Sequence, residues 1–233
     1  MTLTLIRTAC LAALLATPLA QAHNVWLEPD VNGAYTVQFG GHEGKLESFP
    51  IEKLTSVHAY DRRGRKIDVK IEPMQNGARV TPQKEAAMLS AEFDNGFYSK
   101  VGDGPMINKP MNENPGATSG VHALKFHKTF IQWGVISKKE LGQKLELIAR
   151  THQPAHAGQS VQFQVLFDGQ PKQGVRVSLG EKGEPVMSDA NGLVAVTPKA
   201  GTNQLQAILR VPVTGNEKTT QISYETLVTF PAH

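Results

Sequence analysis

Val121-His122-Ala123-Leu124-Lys125-Phe126-His127-Lys128-Thr129-Phe130-Ile131-Gln132-Trp133 alternates with the period of a β-strand. One parity carries His122, Leu124, Phe126 and Phe130, and the other carries Lys125, His127 and Thr129. Successive side chains of a strand point to opposite faces. His122 and His127 therefore cannot serve one site unless a bulge intervenes. The stretch reads as a long strand leading out of a first domain, with β-structure on either side.

Upstream, Tyr35-Thr36-Val37-Gln38-Phe39 places Tyr35, Val37 and Phe39 on one face, and Gly40-Gly41-His42-Glu43-Gly44 breaks it into a loop. Residues 56–60, 67–71 and 87–93 read as further short strands. A polar turn follows residue 60, a hairpin signal stands at Asn76-Gly77, and Asp94-Asn95-Gly96 is expected to turn the last of them. A strand about every ten residues is sandwich spacing. Residues 99–120, rich in Gly, Pro and Asn, form a long polar loop, and such loops often carry function.

Downstream, Lys138-Lys139-Glu140-Leu141-Gly142 is a polar connection. Residues 161–167, 174–179, 193–196, 204–211 and 222–230 then read as strands, with tight turns at Asp168-Gly169-Gln170-Pro171 and Asp189-Ala190-Asn191-Gly192. The expected fold is all-β, with two β-sandwich modules of immunoglobulin-like or transthyretin-like kind. The N-terminal one covers residues 23–137 with its loop at 99–120, and the C-terminal one covers 144–233.

Residues 1–22 read as a secretory signal peptide: Arg7, a short apolar run, Pro18, and a small-x-small site at Ala20-Gln21-Ala22. The run is shorter than the ~20 residues of a membrane span. The expectation is a periplasmic protein cleaved after Ala22. The only cysteine, Cys10, lies in the signal, so the mature chain has neither a disulfide nor a thiol nucleophile. The formal charge of +3 comes from mixed signs, and no basic patch interleaved with aromatics speaks for nucleic acid.

Three pieces carry a resemblance. The first is the signal followed by His23-Asn24-Val25-Trp26-Leu27-Glu28-Pro29. The second runs from Tyr98-Ser99-Lys100 through Asp103-Gly104 to Asn108-Lys109-Pro110, then Lys125-Phe126-His127-Lys128-Thr129 and Trp133-Gly134. The third joins residues 165–171, Gly174-Val175-Arg176-Val177 and Ser188-Asp189-Ala190-Asn191-Gly192. Together they resemble the periplasmic DUF4198 proteins, grouped with nickel-uptake components of the NikM or NikK type. The resemblance implies a metal-related periplasmic protein. Lacking the permease helices, this chain would be a soluble accessory to an inner- or outer-membrane metal transporter.

Cleavage after Ala22 would make His23 the first residue. Its α-amine and imidazole could then chelate one divalent ion, and a second histidine would complete a histidine brace. Nitrogen donors of this kind suit nickel, cobalt and copper ions. His42, in its glycine-rich loop beside Glu43, and His122 are the expected further ligands, with His127 the alternative to His122. His152 and His156 are separated by Pro154 and read as linker residues. No nucleophile elbow, zinc-protease helix motif or phosphate loop is present, so no enzyme is expected. The expected function is binding of a divalent transition metal for uptake. The alternatives are a non-catalytic envelope interaction module and a copper-homeostasis chaperone.

Overall fold

The alternation at residues 121–130 is realised as a strand buried on both parities, and that burial organises the molecule. The structure is a computed structural model that describes residues 23–41 and 45–233. Residues 1–22, the expected signal peptide, and His42 lie outside the described residues. Among those described there are seventeen strands: β1 (Asn24–Pro29), β2 (Tyr35–Gly41), β3 (Lys45–Leu46), β4 (Leu54–Tyr60), β5 (Lys66–Ile67), β6 (Val69–Met74), β7 (Gly77–Pro82), β8 (Met88–Lys100), β9 (Ser119–Phe130), β10 (Leu145–Ala149), β11 (Val161–Phe167), β12 (Gln170–Pro171), β13 (Arg176–Leu179), β14 (Val186–Met187), β15 (Leu193–Val196), β16 (Gly201–Pro212) and β17 (Gln221–Ala232). The helical pieces among them are short 3-10 turns. The chain is all-β and sandwich-like.

An eight-stranded sheet runs in the order β14-β13-β16-β17-β9-β8-β4-β5. A front sheet, β1-β2-β7-β6 with β3 on β2, and a back sheet, β10-β11-β12 with β15 on β11, complete the architecture. β17 lies parallel to β9, with Gln221 opposite Val121 and Thr229 opposite Thr129. Residues 23–137 and residues 144–233 thus contribute strands to one continuous sheet.

The two smaller sheets cover opposite faces of the large one. Val57, Ala59, Leu89, Ala91 and Phe93 pack with Val25, Leu27, Val37, Phe39 and Val80 of the front sheet. The intervening residues Tyr60 and Met88, with Phe126, Phe130, Val228 and Phe230, pack with Leu145, Leu147, Phe163 and Val165 of the back sheet. Each fully buried side chain of this size contributes roughly 1.5–3 kcal/mol. The covers overlap over β9 and β17. Residues 125–130 of β9 and 223–230 of β17 are buried on both faces, charged residues included.

Two local readings change. Residues 67–71 do not form one strand: β5 belongs to the large sheet and β6 to the front sheet. Between them Asp68 accepts the Gln83 N–H through its carbonyl at 2.9 Å, where the chain crosses layers. Asp94-Asn95-Gly96 does not turn the chain. β8 continues to Lys100 with a bulge there: Asp94 pairs with Leu124 and Gly96 with Ala123. Gly96 adopts φ +86, and its N–H donates to Asp94 Oδ1 at 2.8 Å. The inserted residue exchanges the faces of everything beyond it, so Tyr98 joins the front face and Phe97 the back.

The polar stretch after β8 folds back on its own strand. Ser99 and Ile107 exchange backbone hydrogen bonds, Ser99 Oγ donates to the Lys109 carbonyl at 2.7 Å, and Asn114 Nδ2 donates to Ser99 Oγ at 3.0 Å.

Candidate metal centre

A cleft of about 420 Å³ opens where the start of β1 meets the front face of the large sheet. His23 and Phe39 line one wall, with Glu47 just past β3. The front-facing residues Val121, Ala123 and Lys125 of β9 and Ser223 and Glu225 of β17 line the floor, and Asn95, Tyr98, Met106 and Arg210 complete it.

His23 is positioned by sequence-local pairing. Asn24 stands opposite Gly40, and Gly40 stands opposite Leu46, so β1, β2 and β3 meet at this corner. Gly40 is required here, because a Cβ would lie 2.2 Å from the Lys45 carbonyl oxygen. The His23 ring stacks on Phe39 at 5.6 Å, and Phe39 stacks on Phe93 at 4.9 Å. His23 Nε2 lies 2.9 Å from Glu47 Oε1. The imidazole is thereby fixed on an aromatic column with a carboxylate at its outer nitrogen.

The floor holds a buried ion pair. Lys125 Nζ donates to Glu225 Oε2 at 2.6 Å, Ser223 Oγ donates to Glu225 Oε1 at 2.9 Å, and Lys125 and Glu225 are register partners on the parallel strands. Burial pushes the Tyr98 phenol up from its ordinary value. Lys53 donates to the carbonyl and side-chain oxygens of Asn95 at 3.1 Å, and its own burial, with Lys125 nearby, pulls its ammonium down.

The three expected histidines are not assembled into one site among the described residues. His122 faces the back of the large sheet, opposite to its neighbours Val121 and Ala123, which line the cleft. There it stacks on Phe97 at 4.1 Å and bonds Asp94 Oδ1 through Nε2 at 2.8 Å. His127 is on the front face but wholly buried beneath β1. Its Nε2 accepts the Leu27 N–H at 3.2 Å, and desolvation lowers its pKa to about 3. His42 follows Gly41, which pairs with Lys45, but lies outside the described residues. Among those residues no three His, Cys, Asp or Glu side chains converge to hold a metal.

Sequence reasoning missed Glu47, Glu225 and Arg210. A carboxylate and a lysine embedded in strands as apolar as β17 and β9 were a usable signal for the floor. Glu47 and Arg210 carried none, because only the tertiary fold brings them to His23.

No solved structure matches the chain. It is 33% identical over 223 residues to an uncharacterized protein of Haemophilus influenzae, strain Rd, covering 95% of this chain and 96% of that one. The DUF4198 domain, described as a domain of unknown function, matches residues 20–210. Over that span, most of its length, the chain belongs to the DUF4198 family.

Proposed function

We propose that the chain is a periplasmic binding protein for a divalent transition metal, nickel or cobalt with copper the competitor, and serves a membrane metal transporter as an accessory. Export and cleavage after Ala22 create the site. The His23 α-amine and Nδ1 take the ion as a chelate, leaving Nε2–H to donate to Glu47. The observation that carries the reading is the 2.9 Å contact between His23 Nε2 and Glu47. Metal-ligating histidines characteristically donate their other ring nitrogen to a carboxylate, which orients the ring and raises its basicity.

The ligand set is smaller than the sequence alone suggests. His122 is on the wrong face, so the donors available in the cleft are His23, through two nitrogens, and the oxygens around it. His42 lies outside the described residues. The chemistry is coordination and release, with no bond made or broken in a substrate.

The test compares correctly processed protein with a version carrying one extra alanine before His23. Intact mass fixes the terminus, and calorimetric titration with Ni(II), Co(II) and Cu(II) measures binding. The processed form should bind at least ten-fold tighter, since the extra residue turns the amine into an amide. Equal affinities would sink the proposal.

A further inference from the structure

A second cleft, of about 550 Å³, opens at the end of β1 away from His23, within the roughly 300–1,000 Å³ of small-ligand sites. Trp26, Pro29 and Tyr35 wall it, and the front face of β16 and β17 is its floor. Thr202 and Gln204 are two apart on β16 and share a face, and Gln204 stands opposite Thr229 of β17. Thr229 is only 9% exposed, and its Oγ1 is buried with no hydrogen-bond partner. Among the described residues the side chains of Tyr35, Thr202 and Gln204 make no hydrogen bond either. Neither the Trp26 nor the Tyr35 ring stacks on another aromatic ring there. Buried polar groups are normally satisfied within the fold or by what binds it.

The chemistry of this lining excludes most ligand classes. The one charged residue on it is Glu28, whose Oε1 accepts the Trp26 Nε1–H at 2.8 Å. An anion finds no cation here, and a metal ion finds no cluster of ligands. A wholly apolar ligand would strip water from Thr202, Gln204 and Tyr35 and return no hydrogen bond. A peptide cannot add as a strand to β1 here. The N–H and carbonyl of Leu27 are bonded by His127 and Thr129, and Pro29 has no N–H. What remains is a neutral molecule with several hydroxyls and an apolar face.

We propose that this cleft binds a pyranose ring of a neutral saccharide. Sugar hydroxyls bond Thr202 and Gln204, and the deepest one satisfies Thr229 at the floor. The C–H face of the ring lies on the Trp26 indole, whose π face is negative. Glu28 holds the indole by its N–H, so Trp26 offers the sugar its face. The site is separate from the cleft at His23, and neither His23 nor Glu47 lines it. The inference is therefore independent of the metal-binding reading.

Calorimetric titration of the processed protein with cellotriose, maltotriose and triacetylchitotriose, in EDTA, tests it. At least one of the three should bind one per chain, with a Kd tighter than about 5 mM. Q204A and T202V should each weaken that binding roughly ten-fold, because each removes a partner of a sugar hydroxyl. Thr202 is exposed and Gln204 half-buried, so these variants should fold, and circular dichroism melts check it. W26A should abolish binding, and W26F, which restores an aromatic face, should recover most of it. H23A should leave the affinity unchanged. If none of the three sugars binds tighter than about 5 mM, the inference is overturned. Decanoate binding with no sugar bound would make the cleft an apolar pocket, and it also overturns the inference. So would an affinity unchanged in Q204A and W26A, or a loss in H23A matching that in W26A, which would move the sugar to the other cleft.

Discussion

His127 Nε2 accepts the backbone N–H of Leu27 at 3.2 Å, joining two strands whose pairing residues lie far apart in the chain. Thr129 Oγ1, 2.7 Å from the same nitrogen, also reaches the Leu27 carbonyl at 3.4 Å. β1 is an edge strand, and these two side chains of β9 bond the N–H and the carbonyl of Leu27 from the layer below. The strand that begins next to His23 is docked by a neutral imidazole.

That docking predicts acid sensitivity. The folded pKa of His127 is depressed to about 3, against about 6.5 unfolded. Between these values the unfolded chain binds the extra proton, so stability is fully present above pH 6.5 and is lost as pH falls through the window. The loss by pH 3 is on the order of 4 kcal/mol. Urea midpoints at pH 7, 5 and 4 should fall steeply for the wild type. H127Q should be less stable at pH 7 and have a shallower slope. Parallel slopes would contradict the assignment.

A second buried charge predicts an asymmetric mutational response. Lys128, on the opposite parity to His127, is fully buried and donates to Glu146 Oε1 at 2.5 Å and to the Leu147 carbonyl at 3.1 Å. Glu146 also accepts the N–H groups of Leu141 and Gly142. The pair ties the large sheet to the chain entering the back sheet. K128M leaves the carboxylate buried with no cation and should cost about 3–5 kcal/mol. K128M/E146Q should recover part of that loss, as read by urea unfolding. A K128M cost below about 1 kcal/mol would contradict it.

The bulge in β8 predicts a backbone effect. Gly96 sits at φ +86 with nothing nearer to a Cβ than Asn108 Nδ2 at 3.8 Å. G96A therefore meets conformational strain without a clash, and should lose about 1–2 kcal/mol. Because the bulge sets which residues face the cleft, the same variant should alter the environment of Tyr98. Tyrosine fluorescence with thermal melting checks both.

The strands were legible because alternation is local. Tyr35, Val37 and Phe39 announced their face, and the two parities of β9 were readable before any fold was known. What could not be read was pairing across distance. The parallel contact of Val121–Thr129 with Gln221–Thr229 joins residues that no local pattern connects, and it makes one sheet serve both halves. Asp94-Asn95-Gly96 has the same composition whether it turns a chain or bulges a strand, and only β9 alongside decides. The site suffered from the same limit. His23 was marked by its place after Ala22, but Glu47 and Arg210 reach it through sheet pairing and layering. His122 carried a plausible donor on a face that layering turns away.

The face assignment yields the sharpest test of the candidate centre. Glu47 holds the His23 ring through Nε2, and loss of a carboxylate in that role typically costs 10–100-fold in metal affinity. E47A of the processed protein should weaken Ni(II) binding by that factor. His122 bonds Asp94 and stacks on Phe97 behind the sheet, so H122A should leave the affinity within two-fold. H42A reports on His42 itself: a ten-fold loss would add it to the donors, and no change would leave His23 with oxygen ligands. Binding should also weaken as pH drops below about 7, because the terminal amine, with a reference pKa of about 7.7–8.0, must release its proton to the metal. Titration of the three variants at pH 6 and pH 8 reads both effects together. A loss in H122A matching that in E47A would mean that the metal is bound on the opposite face of the sheet from the one assigned to it.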